Sequence, residues 1–256
     1  MSGFTDARVW ITGASAGIGA ALVKAFAARG ARVAVTARRR DLLDQLAAAH
    51  GGAGRSRILV VPADVTSRDA VVAVARTIEA AWGGVDLAIF NAGGVVAGDF
   101  IATMALNYAS VVYGVDAVKD GMIARGRGHI AAVASLAGYR PGPVAHEYGA
   151  SKAAVIYLMN GLRFTLAPLG VKVTVINPGF VRTPLTDRNR FPMPFLVEAD
   201  DAAERIVRGL ERGKKEIHFP APMSWAAKVL RVLPYPIYER IILALQPARA
   251  TEAPPR

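Results

Sequence analysis

Residues 7–36 read ARVWITGASAGIGAALVKAFAARGARVAVT, and this stretch decides the fold. ARVWIT (7–12) is an apolar run of strand length, Gly17 to Arg29 has helical periodicity, and ARVAVT (31–36) is a second strand. Strand, glycine-rich turn, helix and strand make a βαβ unit, in which a crossover helix packs over two parallel strands. Gly13 can make the sharp exit from the strand, and Gly17 lets the backbone approach a pyrophosphate. Gly19 lets the helix pack close to the sheet. The helix N-terminus adds free N–H groups and a partial positive charge for phosphates. The spacing is Gly-x-x-x-Gly-x-Gly, and no Gly-Lys-Ser/Thr follows, which excludes a P-loop.

Outward from this unit the same alternation continues. A helix over Asp41 to Ala49 leads through a loop (50–57) to a strand at ILVV (58–61). Ser67 is placed to cap a helix that ends at Gly83-Gly84, and VDLAIF (85–90) is the fourth strand. A long helix spans Ile101 to Arg125, HIAAVAS (129–135) is the fifth strand, and the next helix runs to about Ala167. VKVTVI (171–176), a helix from Ala199 to Arg212, and EIHF (216–219) complete the series. Strands this apolar, joined by helices, predict an α/β fold: a Rossmann-like doubly wound sheet of about seven mainly parallel strands, helices on both faces. Its ligand site lies at the carboxyl ends of the strands. No repeat or internal linker divides the chain. We expect one domain over 1–220, a helical extension over 221–246 and a disordered tail over 247–256.

Composition narrows the function. The chain has 256 residues, 53% of them hydrophobic, which implies an extensive core. It contains no cysteine and four histidines without metal-ligand spacing, so no metal site is expected. The net charge of +11 suits an anionic cofactor or a membrane surface. Nucleic acid is not an expected partner, because the basic residues are dispersed and no zinc-finger or aromatic RNA-binding signature accompanies them. No signal-peptide pattern opens the chain, and no charge-free apolar stretch reaches the length of a membrane span. A cytoplasmic location, with room for peripheral membrane contact, is the expectation.

The chemistry concentrates in SLAGYRPGPVAHEYGASK (135–152). Tyr148 and Lys152 stand four apart on a helical run, so both project from one face. An ammonium beside a phenol favours the phenolate, and a phenol tuned towards neutral pH can give or take a proton.

TGASAGIG (12–19), FNAGG (90–94), Asn107, Ser135, YGASK (148–152) and NPGFVRT (177–183) occur in order along the chain. Together they resemble the short-chain dehydrogenase/reductases of the shorter-subunit type, over roughly residues 7 to 219. The resemblance implies that Gly13, Ser15, Gly17, Ile18 and Gly19 line the dinucleotide phosphates. It implies that Asp64 hydrogen-bonds the adenine with Val65 beside it, and that Asn91, Ala92 and Gly93 support the adenine ribose and the sheet. Pro178, Gly179, Val181 and Thr183 would hold the nicotinamide end. Tyr148 is implied as the acid/base. Lys152 would lower its pKa and hydrogen-bond the nicotinamide ribose, so both also count as cofactor contacts. Ser135 would polarise the substrate oxygen. Asn107 would anchor a water connecting Lys152 to solvent. Phe90 departs from the family pattern, where many relatives carry Asn, and we expect it to affect packing more than chemistry.

Selection of NAD usually places an acidic residue at the end of the second strand. Here that position is Ala37, followed by Arg38 and Arg39. A guanidinium can grip a 2′-phosphate bidentately, so the expected cofactor is NADP(H), held mainly by Arg38, then Arg39, with Ser15 helping.

Substrate contacts are expected from Ser135, Leu136, Tyr139, His146 and Tyr148, and from the loop after Thr183 with Phe191, Met193, Phe195 and Leu196. An apolar wall there favours a small lipophilic carbonyl or alcohol. Relatives resembling β-ketoacyl reductases end in a Gly-Gly-containing strand; this chain carries two amphipathic segments over 222–246 instead. These can lie in a membrane interface, cap the cleft or form a dimer contact. A homo-oligomer is expected, with a dimer favoured. The expected activity is NADP(H)-dependent interconversion of a carbonyl and an alcohol. The alternatives are reduction of 3-oxoacyl groups on an acyl carrier protein, a non-catalytic dinucleotide-binding protein, or a membrane-surface scaffold.

Overall fold

The computed structural model describes residues 3–51, 57–142, 145–188 and 192–245. The expected tail (247–256) and Phe191 lie outside the described residues. Seven strands among them form one sheet: β1 (Arg8–Thr12), β2 (Arg32–Thr36), β3 (Ile58–Val60), β4 (Leu87–Phe90), β5 (Gly128–Val133), β6 (Val171–Pro178) and β7 (Glu216–Phe219). Their order is β3-β2-β1-β4-β5-β6-β7 and every pairing is parallel. The order reverses direction between β1 and β4, which opens a crevice beyond their carboxyl ends.

Alternation along the strands builds a core on each face. From β1, Val9 and Ile11 turn to one side, where they meet Leu22 and Phe26 of α1 (Gly17–Ala28) and Ile206 and Leu210 of α7 (Ala199–Glu211). Trp10 turns to the other, towards Val71 and Ile78 of α3 (Arg68–Trp82) and Met159 of α6 (His146–Leu166). α2 (Arg40–His50) covers β3 through its single fully buried side chain, Leu43. Ser67 caps α3 by accepting from the Ala70 N–H at 3.3 Å, and Gly83 ends it in the left-handed conformation.

Phe90 acts through packing. Its ring meets Trp10 edge-on at 5.7 Å between centroids. A Cβ on Gly114 would come within 2.2 Å of that ring, so this glycine leaves the room the aromatic needs.

The long helix is interrupted. α4 (Phe100–Met104), capped by Asp99, passes into a wide π turn at Ala105–Ala109 and then α5 (Ser110–Ala124). The widening falls around Asn107, and nothing in the residue pattern announces it. The run Phe100–Ala124 is long and apolar enough to cross a membrane by length and composition. Its Val111, Val115, Val118 and Met122 are packed in the core. Beyond β7, α8 (Ala221–Val232) and α9 (Tyr235–Leu245) form the extension, with Met223 and Ala227 packed inward.

Candidate active site

The glycine turn has the shape its sequence implies. Gly13 and Gly17 adopt φ of 66° and 55°, which side-chain-bearing residues rarely do. A Cβ on Gly13 would sit 2.7 Å from the Ala92 backbone, and one on Gly17 would sit 2.8 Å from the Thr183 side chain. Ala16 caps α1 without any side-chain hydrogen bond, so the first N–H groups of α1 are left for another acceptor. Gly19 does not line the cleft, which corrects its assignment to the phosphates. A Cβ there would meet the Gly13 carbonyl at 2.2 Å, so Gly19 serves close packing of helix and turn.

Above the turn lies a cleft of about 740 Å³, within the range of small-molecule sites. Gly13, Ser15, Gly17 and Ile18 line one end, with Arg38, Arg39, Asp64 and Val65. Asn91, Ala92 and Gly93 line it between β1 and β5, with Pro178, Gly179 and Val181 after β6 and Thr183 lying against Gly17. Ser135, Tyr148 and Lys152 complete the far end. These residues come from the ends of β1 to β6 and the start of α6, gathered by the parallel sheet.

Several of them are braced. Asn91 donates from Nδ2 to the carbonyls of Thr12 (3.1 Å) and Gly13 (3.2 Å), tying β4 to the glycine turn. Thr12 Oγ1 accepts from the N–H of Asn91 and of Ala92. Asp64 accepts from the N–H and hydroxyl of Thr66, which with Arg38 holds its carboxyl below the usual range. Arg39 Nη2 donates to Ser15 Oγ at 3.0 Å. The cleft is thus positively charged where the second strand ends, and the glycine cradle, open helix start and guanidinium pair fit a phosphorylated dinucleotide.

At the far end, Lys152 is buried and donates to the Val133 carbonyl at 2.8 Å, with its ammonium 5.6 Å from the Tyr148 ring centroid. Burial lowers its pKa to about 8. Burial raises the Tyr148 pKa, and the Ser135 hydroxyl pulls it back. The downward push expected from Lys152 is therefore not what the protein alone produces. Ser135 Oγ accepts from the Ala137 N–H and leans towards the Pro178 carbonyl at 3.5 Å.

Besides Gly19, the expected residues Asn107, Leu136, Tyr139, His146, Met193, Phe195 and Leu196 do not line the cleft. Asn107 is fully buried; its Oδ1 accepts from Gly94 N–H at 2.8 Å and its Nδ2 donates to Gly94 O and Ser151 Oγ. Both amide hydrogens of Asn107 are taken and its oxygen already accepts from Gly94, so the side chain braces the backbone beside Lys152. Leu136 is buried in the core behind Ser135, and His146 is exposed at the start of α6. Tyr139 is buried with its hydroxyl on Glu216 Oε1, so it faces β7 and not the cleft. Sequence reasoning missed Thr12 and Thr66, whose hydroxyls act across the fold or within a turn. It also missed the apolar wall of Val96, Ala102, Ala105, Leu106 and Leu185, which β4, the α4–α5 helix and the loop after β6 assemble.

The sequence profile of the short chain dehydrogenase family matches residues 7–192, and the protein belongs to that family as an oxidoreductase. It is 39% identical over 242 residues to an uncharacterized oxidoreductase of Myxococcus xanthus, covering 90% of this chain and 93% of that one. An uncharacterized oxidoreductase of Staphylococcus haemolyticus is 32% identical over 209 residues, covering 78% and 89%. Among solved structures, a short chain dehydrogenase/reductase from Burkholderia phymatum in complex with NAD superposes with a TM-score of 0.82. At 24% identity, over 97% of this chain and 99% of that one, it shares the fold. L-Sorbose reductase from Gluconobacter frateurii, complexed with NADPH and L-sorbose, superposes with a TM-score of 0.77 at 25% identity, over 88% and 99%.

Proposed function

We propose that the protein is an NADP(H)-dependent oxidoreductase that interconverts a carbonyl and an alcohol on a small lipophilic substrate. The observation that carries this is one cleft shared by the glycine turn, Arg38 and Arg39 at one end and Ser135, Tyr148 and Lys152 at the other. When bound, the nicotinamide supplies or accepts the hydride. The chain's own residues do the rest. Ser135 holds the substrate oxygen with its hydroxyl and stabilises the negative charge that develops there. In reduction the Tyr148 hydroxyl gives its proton to that oxygen; in oxidation the phenolate takes it back. Lys152 keeps a cation beside the phenol and is placed to hold the ribose hydroxyls. Asn107 fixes the Gly94 backbone and Ser151, one residue before Lys152.

Preference for NADP(H) is supported by Arg38 and Arg39 following Ala37, with Arg39 already tied to Ser15. A lipophilic substrate is supported by Val96, Leu106 and Leu185 on the wall nearest Gly94. The test is NADPH consumption against a panel of lipophilic ketones, with Tyr148→Phe as the control. Turnover should fall by roughly 10²- to 10⁴-fold while NADPH binding is retained. Near-normal turnover by that variant would refute the mechanism.

Two surfaces extend the proposal to partners. Tyr157 and Phe164 of α6 are 85% and 80% exposed, as are Phe100 and Ile101 (58% and 78%) of α4, a helix that packs on α6, and these exposed side chains suit contact with a second copy of the chain. Trp225, Val229 and Val232 expose a helical stripe on α8, which suits peripheral contact of a cytoplasmic protein of net charge +11 with an anionic membrane.

A further inference from the structure

Behind Ser135, and outside the cleft, lies a cluster of polar side chains that the mechanism does not use. Glu216, the first residue of β7, accepts at Oε1 from the Tyr139 hydroxyl and from Asn177 Nδ2 (2.9 Å). Its Oε2 accepts from Lys228 Nζ at 2.8 Å. Asn177 Nδ2 also reaches the Tyr139 oxygen at 3.3 Å. Tyr139 and Asn177 are buried, and the Arg231 guanidinium lies over the Tyr139 ring at 5.5 Å. Burial pushes the Glu216 pKa up, but Lys228 and the Tyr139 and Asn177 hydrogen bonds outweigh it and hold the carboxyl below its usual range.

What this carboxylate joins is informative. Tyr139 ends the short 3-10 turn that begins directly after Ser135, where Gly138 N–H donates to Ser135 O and Tyr139 N–H to Leu136 O. Asn177 immediately precedes Pro178 and Gly179, which line the cleft. One carboxylate therefore ties the turn that carries Ser135 to the strand end that carries Pro178. The carboxylate's third partner, Lys228, and the Arg231 that lies over the Tyr139 ring both come from α8. The next loop residues continue the attachment: Arg140 Nη1 donates to the carbonyls of Leu230 (2.7 Å), Arg231 (3.1 Å) and Leu233 (2.7 Å), closing the C-terminus of α8. Its guanidinium lies 4.1 Å from the Tyr238 ring centroid, and the Tyr238 hydroxyl donates to the Pro141 carbonyl.

We propose that Glu216 is a positioning residue that, with Tyr139 and the cations of α8, sets the Ser135 hydroxyl against the Pro178–Gly179 wall. The helical extension is then a strut of the active site. The physical reason is that a buried phenol and a buried amide lose their acceptor together when the carboxylate is removed, and among the described residues no other side-chain carboxylate ties the turn after Ser135 to the sheet. This rests on the reading of Ser135 as the group that holds the substrate oxygen.

The experiment compares Glu216→Ala, Glu216→Gln, Tyr139→Phe and the Glu216→Ala/Tyr139→Phe pair in the full chain. Two readouts are used: amide hydrogen exchange of the protein alone, and the split between kcat and the KM for NADPH. Exchange over 136–140 and 179–181 should speed at least about tenfold in Glu216→Ala and Tyr139→Phe, with the glycine turn unchanged. The kcat should fall about tenfold or more with KM for NADPH within about twofold. Glu216→Gln, which keeps an acceptor oxygen, should recover most of the loss, and the double variant should be no worse than the worse single. Unchanged exchange and kcat, or losses that multiply in the pair, overturn the proposal. If Glu216→Ala does not fold, Tyr139→Phe and Glu216→Gln decide by the same two readouts. Ser135→Ala separates the two readings: wild-type turnover in that variant removes the role given to Ser135, while the exchange data still report the coupling.

Discussion

Lys152 donates its ammonium to the carbonyl oxygen of Val133 at 2.8 Å, two residues before Ser135 at the end of β5. The contact holds the lysine in the cleft beside Gly93, where a Cβ would lie 2.8 Å from Nζ and equally close to Asn107 Oδ1. A single backbone oxygen does not offset the desolvation of a buried ammonium, and the pKa falls from 10.5 to about 8. Bound ribose hydroxyls favour the charged form, so NADPH affinity should decline as pH rises through 8. A loss of about tenfold by pH 9 is expected from proton linkage. Fluorescence titration of NADPH from pH 7 to 9.5 checks it; flat affinity across that window, or the same decline in Lys152→Met, would count against the assignment.

The proposed preference for NADP(H) rests on Arg38 and Arg39, both exposed at the cleft's edge. Arg38→Ala should raise the KM for NADPH roughly tenfold or more and leave that for NADH nearly unchanged, since a charge-assisted hydrogen bond contributes about 1.5–3 kcal/mol. Arg39→Ala should have a smaller effect in the same sense. Equal losses with both cofactors would mean that the arginines shape the loop and do not read a 2′-phosphate.

Gly114 faces the Phe90 ring so closely that an added methyl has no room. Gly114→Ala should destabilise the protein by about 1–3 kcal/mol through overpacking, despite alanine's better helix propensity. Thermal melts of Gly114→Ala, Phe90→Leu and the pair test this. The double variant should be more stable than the sum of the singles predicts, and strict additivity would show that the two residues do not compete for the same space.

His129 opens β5 as a buried neutral base. Thr174 Oγ1 donates to the Lys214 carbonyl, so His129 Nε2 must donate to Thr174 Oγ1 at 2.8 Å, which assigns the proton to Nε2. Burial, then Lys172 opposite it on β6, lower its pKa from 6.5 to about 4. The unfolded chain takes up a proton near pH 6.5 and the folded chain only near 4, so stability falls as pH drops across that window. The loss between pH 7 and 5 should be about 2 kcal/mol. Urea melts of wild type and His129→Gln should show a pH slope steeper in the wild type by about this amount, the residual slope coming from His218, whose burial also lowers its pKa.

The exposed stripe of α8 predicts weak binding to anionic liposomes that salt reduces. Flotation of wild type and Trp225→Glu/Val229→Glu distinguishes this from dimerisation through the same face, which sedimentation velocity would register in the absence of lipid. Wild type remaining wholly in the soluble fraction would end the membrane proposal.

Much of this protein could be read along the chain, and the reason is local. Strand and helix periodicity, the glycine spacing at 13, 17 and 19, and the four-residue step from Tyr148 to Lys152 each depend on neighbours within one or two turns. The π turn at 105–109 escaped that reading. Asn107 is engaged with Gly94 and Ser151, 13 residues before and 44 after it, and no short-range spacing marks such a partner.

The same distinction divides the site. By itself the sequence determined the alternation of strands and helices, the parallel sheet they build and the glycine turn after the first strand, because backbone geometry turns short spacings directly into shape. Tertiary structure alone decided that Tyr139 turns from the cleft to Glu216, 77 residues away, and that Arg140 closes a helix some 90 residues on. Those choices depend on which buried donors find acceptors once the layers have packed, and that competition is settled only in three dimensions.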